Sequence, residues 1–293
     1  MYTTIYPGVE RFLPEWSASV RAQTDRDFDL WVGLDGVTAE EASRHLENGR
    51  EVHWSPSRPG DTPATVRERA IAEIVRGYDA VIFVDSDDVL LPERVAAARR
   101  ALERSDVAGC SLRVVDEGGR DTGVVFGVAP DTDWDAFLPR YNVFGMSNTA
   151  YRTEFLERAL PVPPAGRLVD WLLVTRAWWS GARLSFHDVP AMQYRQYSDN
   201  VARVLPPFAP SDIRSAAERV ASHYAGLLDV ETGVPADRRP RFEAERERVE
   251  RFRRMCAVPG RLEAYARALN ALPAASFWWW CVAHPDLEGL WAQ

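Results

Sequence analysis

The sequence predicts an α/β fold in which a mostly parallel central sheet is followed by a helical C-terminal extension. Three observations carry this. Short apolar runs alternate with amphipathic stretches up to about residue 115, the pattern of successive βα units. One of those runs, AVIFV at 80–84, is continuously apolar, as suits a strand buried on both faces, and leads straight into Asp85-Ser86-Asp87-Asp88. From about residue 208 onward the periodicity is helical, with no further strand pattern.

The strands expected in the first half are 2–6 (YTTIY), 28–34 (FDLWVGL), 51–54 (EVHW), 80–84 and 109–115 (GCSLRVV). Helices lie between them. The first carries Phe12, Trp16 and Val20 at spacing four. The second opens on a capping box, Thr38 to Glu41, and the third on a Thr62 cap with Pro63 in the first turn. Residues 92–103 form a further helix. From 123 to 205 short strands (123–128, 182–188, 191–197) mix with helices at 153–160 and 170–180, the second closed by Gly181. The charge run 243–254 reads as a solvated helix face laced with i,i+4 pairs. The expected division is therefore 1–205, with a nucleotide-binding half at 1–115 and an acceptor half at 116–205, followed by a helical extension at 206–293.

Composition excludes several chemistries. The 293 residues are 46% hydrophobic and 27% charged, enough to bury a full core. The net charge is −8 and no basic run is long enough to track a phosphate backbone, which argues against nucleic acid as a partner. Every basic residue is arginine. Without lysine there is no Schiff-base chemistry and no phosphate-loop lysine. Arginine and alanine in this proportion suggest a GC-rich bacterial genome. Cys110, Cys256 and Cys281 are odd in number and widely spaced, as expected of a reducing, cytoplasmic setting. MYTTIYPG has no signal-peptide character, and no apolar stretch approaches the roughly 20 residues of a membrane span. The run SFWWWCVAH at 276–284 is expected to be a packed helix or a subunit contact, which makes the Trp-rich C-terminal helices a candidate homodimer surface, with docking on a membrane surface as the alternative.

The acidic cluster is the centre of the functional reading. Ligands of open α/β sheets bind at the C-terminal ends of the strands, where Asp85, Asp87 and Asp88 emerge. Three carboxylates within four residues repel one another unless protons or a cation neutralise them, and hard divalent ions favour oxygen ligands. Mn²⁺ or Mg²⁺ held there could bridge the phosphates of a nucleotide-sugar and stabilise the departing diphosphate. A plain alternative makes Asp88 a cap for the helix after Pro92. A second alternative reads VIFVDSDDVL as the start of a haloacid-dehalogenase-like phosphatase with Asp85 as nucleophile and Asp87 as acid/base. The absence of lysine and the position of the motif behind three βα units count against it.

Four segments in order resemble the A-type fold (GT-A) glycosyltransferases, in particular the inverting family-two group, over about residues 1–205. The opening strand ends Thr4-Ile5-Tyr6, and the resemblance implies that Tyr6 lies against the nucleotide base, although Pro7 stands where the family has asparagine. SASVRAQTDRDFDLWVGLDGVT is similar to the family's stretch ending D-D-G-S, with Asp35 at the base-reading aspartate and Leu34 at the preceding one. TVRERAIAEIVRGYDAVIFVDSDD is the most specific match. It implies Arg69 as the donor arginine, with Arg67 an alternative register, Asp85 on the ribose side of the donor, and Asp87, assisted by Asp88, on the metal. FGMSNTAYRTEFLERA followed by VDWLL resembles the acceptor-side segment and implies Asp170 as general base, ionised by its place at a helix start. The alternative for Asp170 is a plain helix cap. The stretch 181–200, ending YRQYSDN, is similar to the family's stretch ending Y-R-x-H-x-x-N; the resemblance implies Arg195 as a candidate diphosphate contact, while Tyr197 replaces the histidine of some relatives. His187 is the nearest substitute, more simply read as a structural residue. Trp171, Trp178 and Trp179 could stack on sugars but at helical spacing read as core.

The resemblance thus implies an enzyme of Rossmann-like, nucleotide-diphospho-sugar transferase type. It would move a hexose from a UDP-, GDP- or dTDP-linked donor to an acceptor hydroxyl, with inversion and a divalent metal. An inactive nucleotide-sugar-binding protein of the same fold is the alternative. Neither the sugar nor the acceptor is legible.

Overall fold

In the computed structural model, which describes residues 1–46, 50–163, 168–198, 200–230 and 233–292, the N-terminal apolar run forms β1 (Tyr2–Ile5), buried along its whole length. The elements that follow are α1 (Leu13–Arg21), β2 (Leu30–Leu34), α2 (Ala39–Ser43), β3 (Val52–Pro56), α3 (Pro63–Gly77), β4 (Ala80–Ile82), β5 (Val89–Leu90), α4 (Arg94–Leu102), β6 (Val107–Val115) and β7 (Asp121–Phe126). After the short α5 (Trp134–Phe137) come β8 (Thr149–Arg152), α6 (Thr153–Arg158), α7 (Val169–Trp179) and β9 (Leu184–Arg195).

The expected caps form. Thr38 accepts from the Glu41 amide at 3.2 Å, and the Glu41 carboxylate accepts from the Thr38 amide at 2.8 Å. Thr62 accepts from the Thr65 amide at 3.3 Å with Pro63 in the first turn. From there Ala64, Val66, Ala70, Ile71 and Ile74 bury one face of α3 at helical spacing. Close approach explains Gly33: a Cβ there would sit 2.5 Å from the Tyr2 hydroxyl.

β1, β2 and β3 pair in parallel, in register Tyr2↔Trp31 and Leu30↔Val52. A parallel bridge, Tyr2↔Phe83, carries the order on to the strand of the acidic cluster. Beyond it the order is β4-β8-β6-β9-β5, with β7 on β6. The parallel expectation holds for the N-terminal half, while the second half is mixed: β8 runs antiparallel to both β4 and β6, and β9 is parallel to β6. The two strands expected at 182–188 and 191–197 form one strand, β9, whose register against β6 shifts at Cys110/Ser111 and again at Ser111/Leu112. β1, β2, β4, β6 and β9 all point the same way. Tyr6, Asp35, Asp85 and Arg195 therefore leave the sheet at one edge.

The chain divides into two units, Met1–Asp131 with Phe144–Arg195, and Thr132–Val143 with Gln196–Gln293. The expected boundary at 205 falls at 195, where β9 ends, and a segment around α5 joins the helical unit rather than the sheet. That unit holds α8 (Pro210–Ala225), a π-helical turn (Gly226–Val230), α9 (Arg239–Cys256), α10 (Arg261–Leu269), a 3₁₀ turn (Pro285–Leu287) and α11 (Glu288–Trp291). No described helix is long and apolar enough to cross a membrane. All three cysteines are buried free thiols.

The Trp-rich run departs from expectation. Residues 276–284 are turns, not helix, with Trp279 at φ 68 and Ala283 at φ 47. Their carbonyls are satisfied from the side: Arg248 donates to Val282 and Ala283 at 3.2 and 2.9 Å, and the Tyr265 hydroxyl donates to Cys281 at 2.9 Å. Trp278, Trp279 and Trp280 are buried inside the unit. They are not displayed as a surface for a second subunit.

His223 on α8 is also buried, and burial pulls its pKa from 6.5 down to about 3. The folded imidazole stays neutral where the unfolded one gains a proton, so this residue withdraws stability as pH falls from about 6.5 towards 3, by about 1.4 kcal/mol per pH unit. Urea unfolding at pH 7 and pH 5 should show a smaller acid loss for His223→Leu than for the wild type. Equal losses would contradict the assignment.

Candidate active site

The loop after β4 is fixed before any ligand is considered. Ser86, fully buried, donates from Oγ to the Thr4 carbonyl at 2.7 Å. The Asp85 amide donates to Ser147 Oγ at 3.2 Å, and Ser147 Oγ donates in turn to Asp88 Oδ2. The Arg195 amide donates to Asp88 Oδ1 at 2.7 Å. On the other side the Tyr6 hydroxyl donates to Asp87 Oδ2 at 3.2 Å. These bonds aim Asp85, Asp87 and Asp88 inward, each offering a carboxylate oxygen, and the three oxygens lie within 4.8 Å of one another.

Proximity and burial act together on the charge. Burial, then the Asp87 charge, and more weakly the Asp170 charge push Asp85 up to about 7, against the opposing pull of Arg67. Asp88 is pushed well above the ordinary carboxylate range by burial and by Asp87 and Asp85, although its bonds from Ser147 and the Arg195 amide favour the ionised form. The cluster therefore lacks positive charge. Several carboxylate oxygens in a shallow-to-buried group, whose nearby Arg67 does not outweigh burial at Asp85, suit a hard divalent cation.

Asp170 lies in the first turn of α7, half-buried, and its charge acts on both Asp85 and Tyr151. It is not the helix cap, which is Leu168. Asp35 follows β2 at the same sheet edge, its amide bonded to the Ile5 carbonyl at 2.9 Å. Two expectations meet competing partners. The Arg69 guanidinium is held by Asp61 at 2.5 Å and by the Pro56 carbonyl at 2.8 Å. Arg67, two residues earlier on α3, is instead the arginine whose charge reaches Asp85, and its Nε has no partner among the described residues. Arg195, 2% exposed, uses all three nitrogens on the protein: Nε to the Asp87 carbonyl at 2.9 Å, one terminal nitrogen to the Glu117 carbonyl at 2.9 Å, the other to Glu15 at 2.5 Å. Its guanidinium also lies 4.8 Å from the Phe12 ring centroid. It braces the acidic loop with one bond from each of its three nitrogens, and the expected contact with a diphosphate would fall to the second N–H on each terminal nitrogen.

His187 is exposed and takes a bond from the Val189 amide, a local turn. Trp171 and Trp178 are core, as expected, and Trp179 is half-buried at the end of α7. Asp199 lies outside the described residues. Ser147 and Glu15 are contributors that sequence reasoning missed. Ser147 stood inside the segment FGMSNTAYR, but nothing local to it marks a bond to a residue 59 positions away.

The sequence matches no protein-family model and no curated protein. Solved structures do match. The chain superposes on S. aureus TarS residues 1–349, solved in complex with UDP-GlcNAc, with a TM-score of 0.54 at 19% identity over 92% of this chain and 87% of that one. It superposes on the mannosyltransferase PcManGT from Pyrobaculum calidifontis, solved with GDP-Man and Mn²⁺, with a TM-score of 0.56 at 17% identity over 93% and 75%. The likeness establishes the fold as that of the A-type glycosyltransferases.

Arg195 generates the prediction here. Arg195→Gln should lower the unfolding free energy by about 3 kcal/mol, because it strands the carbonyls and the carboxylate that the buried fork serves. Lysine, a point charge, should not restore it. Urea unfolding measures both, and a loss under about 0.5 kcal/mol, the range of ordinary surface changes, would refute the bracing role.

Proposed function

We propose that this A-type fold works as a nucleotide-sugar glycosyltransferase that inverts the anomeric centre in a single displacement. One observation carries the reading: a buried, charge-frustrated carboxylate group at the C-terminal edge of the sheet, with Asp170 near enough to act on it electrostatically. That edge is where open α/β sheets bind nucleotides. The neighbours of this fold are solved with UDP-GlcNAc and with GDP-Man and Mn²⁺, which supports a nucleotide-diphosphate sugar as donor without choosing between bases.

In this reading Asp87 and Asp88 hold Mn²⁺ or Mg²⁺, whose charge, when bound, offsets that left on the departing diphosphate. Asp85, beside that pair, can accept a hydrogen bond from a donor hydroxyl. Tyr6 and Asp35, at the ends of adjacent strands, face the base, and Arg67 replaces Arg69 as the arginine that meets the donor. Asp170 takes the proton of the acceptor hydroxyl as that oxygen attacks the anomeric carbon from the side opposite the diphosphate. A phosphatase using Asp85 as nucleophile gains nothing from the structure, since no lysine exists in the chain to hold the phosphate.

Two outcomes are expected. Hydrolysis of UDP-GlcNAc or GDP-mannose should require Mn²⁺ or Mg²⁺, and Asp170→Asn should lower turnover by about 10²–10⁴-fold while leaving the donor-induced rise in melting temperature intact. Loss of donor binding along with turnover would instead make Asp170 a binding or structural residue. Separately, Asp87→Asn should stabilise the metal-free protein by about 1 kcal/mol, by removing the charge that raises both neighbours, and should abolish the gain in melting temperature on adding Mn²⁺. An undiminished Mn²⁺ effect in that variant would remove the metal from this site.

A further inference from the structure

The helical unit contains a cavity of about 130 Å³ that the transferase reading does not use. One wall is a single face of α8: Asp212, Ser215, Ala216 and Arg219 follow at i, i+3, i+4 and i+7. The opposite side brings in Arg203 and Trp279. Trp279 is the unusual member. Its backbone sits in the left-handed region at φ 68, a conformation that costs a non-glycine residue about 1–3 kcal/mol and so persists only where its surroundings impose it. Its side chain is 92% buried, being 8% exposed, and its indole N–H has no acceptor among the described residues. A buried donor left unmatched calls for a partner that the described residues do not supply.

The remaining groups say what that partner is. Two guanidiniums, a hydroxyl and an indole N–H are donors, and a guanidinium fork matches the geometry of an oxyanion. The one carboxylate among the described lining residues, Asp212, is occupied: it accepts from the Ala209 amide at 2.9 Å and lies 3.9 Å from Arg203. Cys281, also in the wall, is a thiol pushed up to about 12 by burial and adds no negative charge. We infer that this cavity is a binding site for a small oxyanion, a phosphate or the phosphoryl group of a phosphomonoester, held by Arg203, Arg219, Ser215 and the indole N–H of Trp279. All the lining residues belong to the helical unit, and the inference does not depend on the glycosyltransferase reading.

The test uses the full chain carrying ¹⁵N-labelled indoles. Trp279→Phe identifies the Trp279 N–H resonance by its disappearance. Inorganic phosphate, glucose 1-phosphate and acetate are then titrated at constant ionic strength, with no nucleotide or divalent metal present. Phosphate should move the Trp279 resonance saturably and more strongly than acetate, and a tighter response to glucose 1-phosphate would identify the esterified form as the ligand. Arg219→Gln should weaken the response at least about tenfold, as expected for losing a charged hydrogen bond, with the remaining indole resonances reporting that the variant is folded. A Trp279 resonance that phosphate does not move, or one that responds equally in wild type, Arg219→Gln and Arg203→Gln, would overturn the assignment.

Discussion

Three carboxylates held together in a buried loop define the constraint on which the sheet unit is organised. Left alone, Asp85, Asp87 and Asp88 would separate or be neutralised, because each raises the energy of ionising the others. The loop resists this through bonds that come from far along the chain. Arg195 donates to Asp88 across 107 positions and reaches Glu15 across 180, while Ser147 reaches Asp88 across 59. Tyr6 closes the cluster from the end of β1. A group this costly persists when its geometry is worth more than its energy, and strain of this kind concentrates at functional sites.

The sheet topology makes that geometry attainable. β1, β4, β6 and β9 point the same way, so Tyr6, the acidic loop and Arg195 arrive at one edge without any long loop having to carry them there. The antiparallel β8 between β4 and β6 supplies Thr149, whose carbonyl accepts from Phe83 at 2.9 Å, and places Ser147 just before that strand, beside Asp85. A wholly parallel sheet would put the residues preceding that strand at the opposite edge. The mixed second half is therefore part of how the site is assembled.

Much of this was legible from residues alone. The buried strand 80–84 and its acidic exit depend on a short local pattern, as do the capping box at Thr38 and the Thr62-Pro63 start of α3, and local patterns survive folding when tertiary contacts agree with them. What was not legible depends on contacts between distant residues. Arg69 and Arg67 are two positions apart on α3, a separation that turns them to different faces, and only the position of Asp61 shows which one is taken. Arg195 looked like a free cation at a strand end, but whether a guanidinium faces ligand or protein depends on Glu15, Glu117 and Asp87, none of which lies near it in sequence. The Trp-rich run misled for a related reason: apolar density suggested a helix, yet its carbonyls are served by Arg248 and Tyr265, and its backbone turns where no helix can.

The bracing of Arg195 also bears on how the cluster handles charge. A guanidinium near three aspartates would ordinarily neutralise part of their field, and Arg195 is close enough to donate to the main chain of Asp87. Its terminal nitrogens are nevertheless directed away, to Glu117 and Glu15, and only its backbone amide touches Asp88. The fold thus builds the loop with a cation while keeping that cation's side-chain donors off the carboxylates. Among the described residues Arg67 is the arginine whose charge favours ionised Asp85, and it does not outweigh burial. An arrangement that needed only stability would have turned Arg195 inward; under the proposed function, the under-compensated aspartates are what a cation from outside the chain would neutralise.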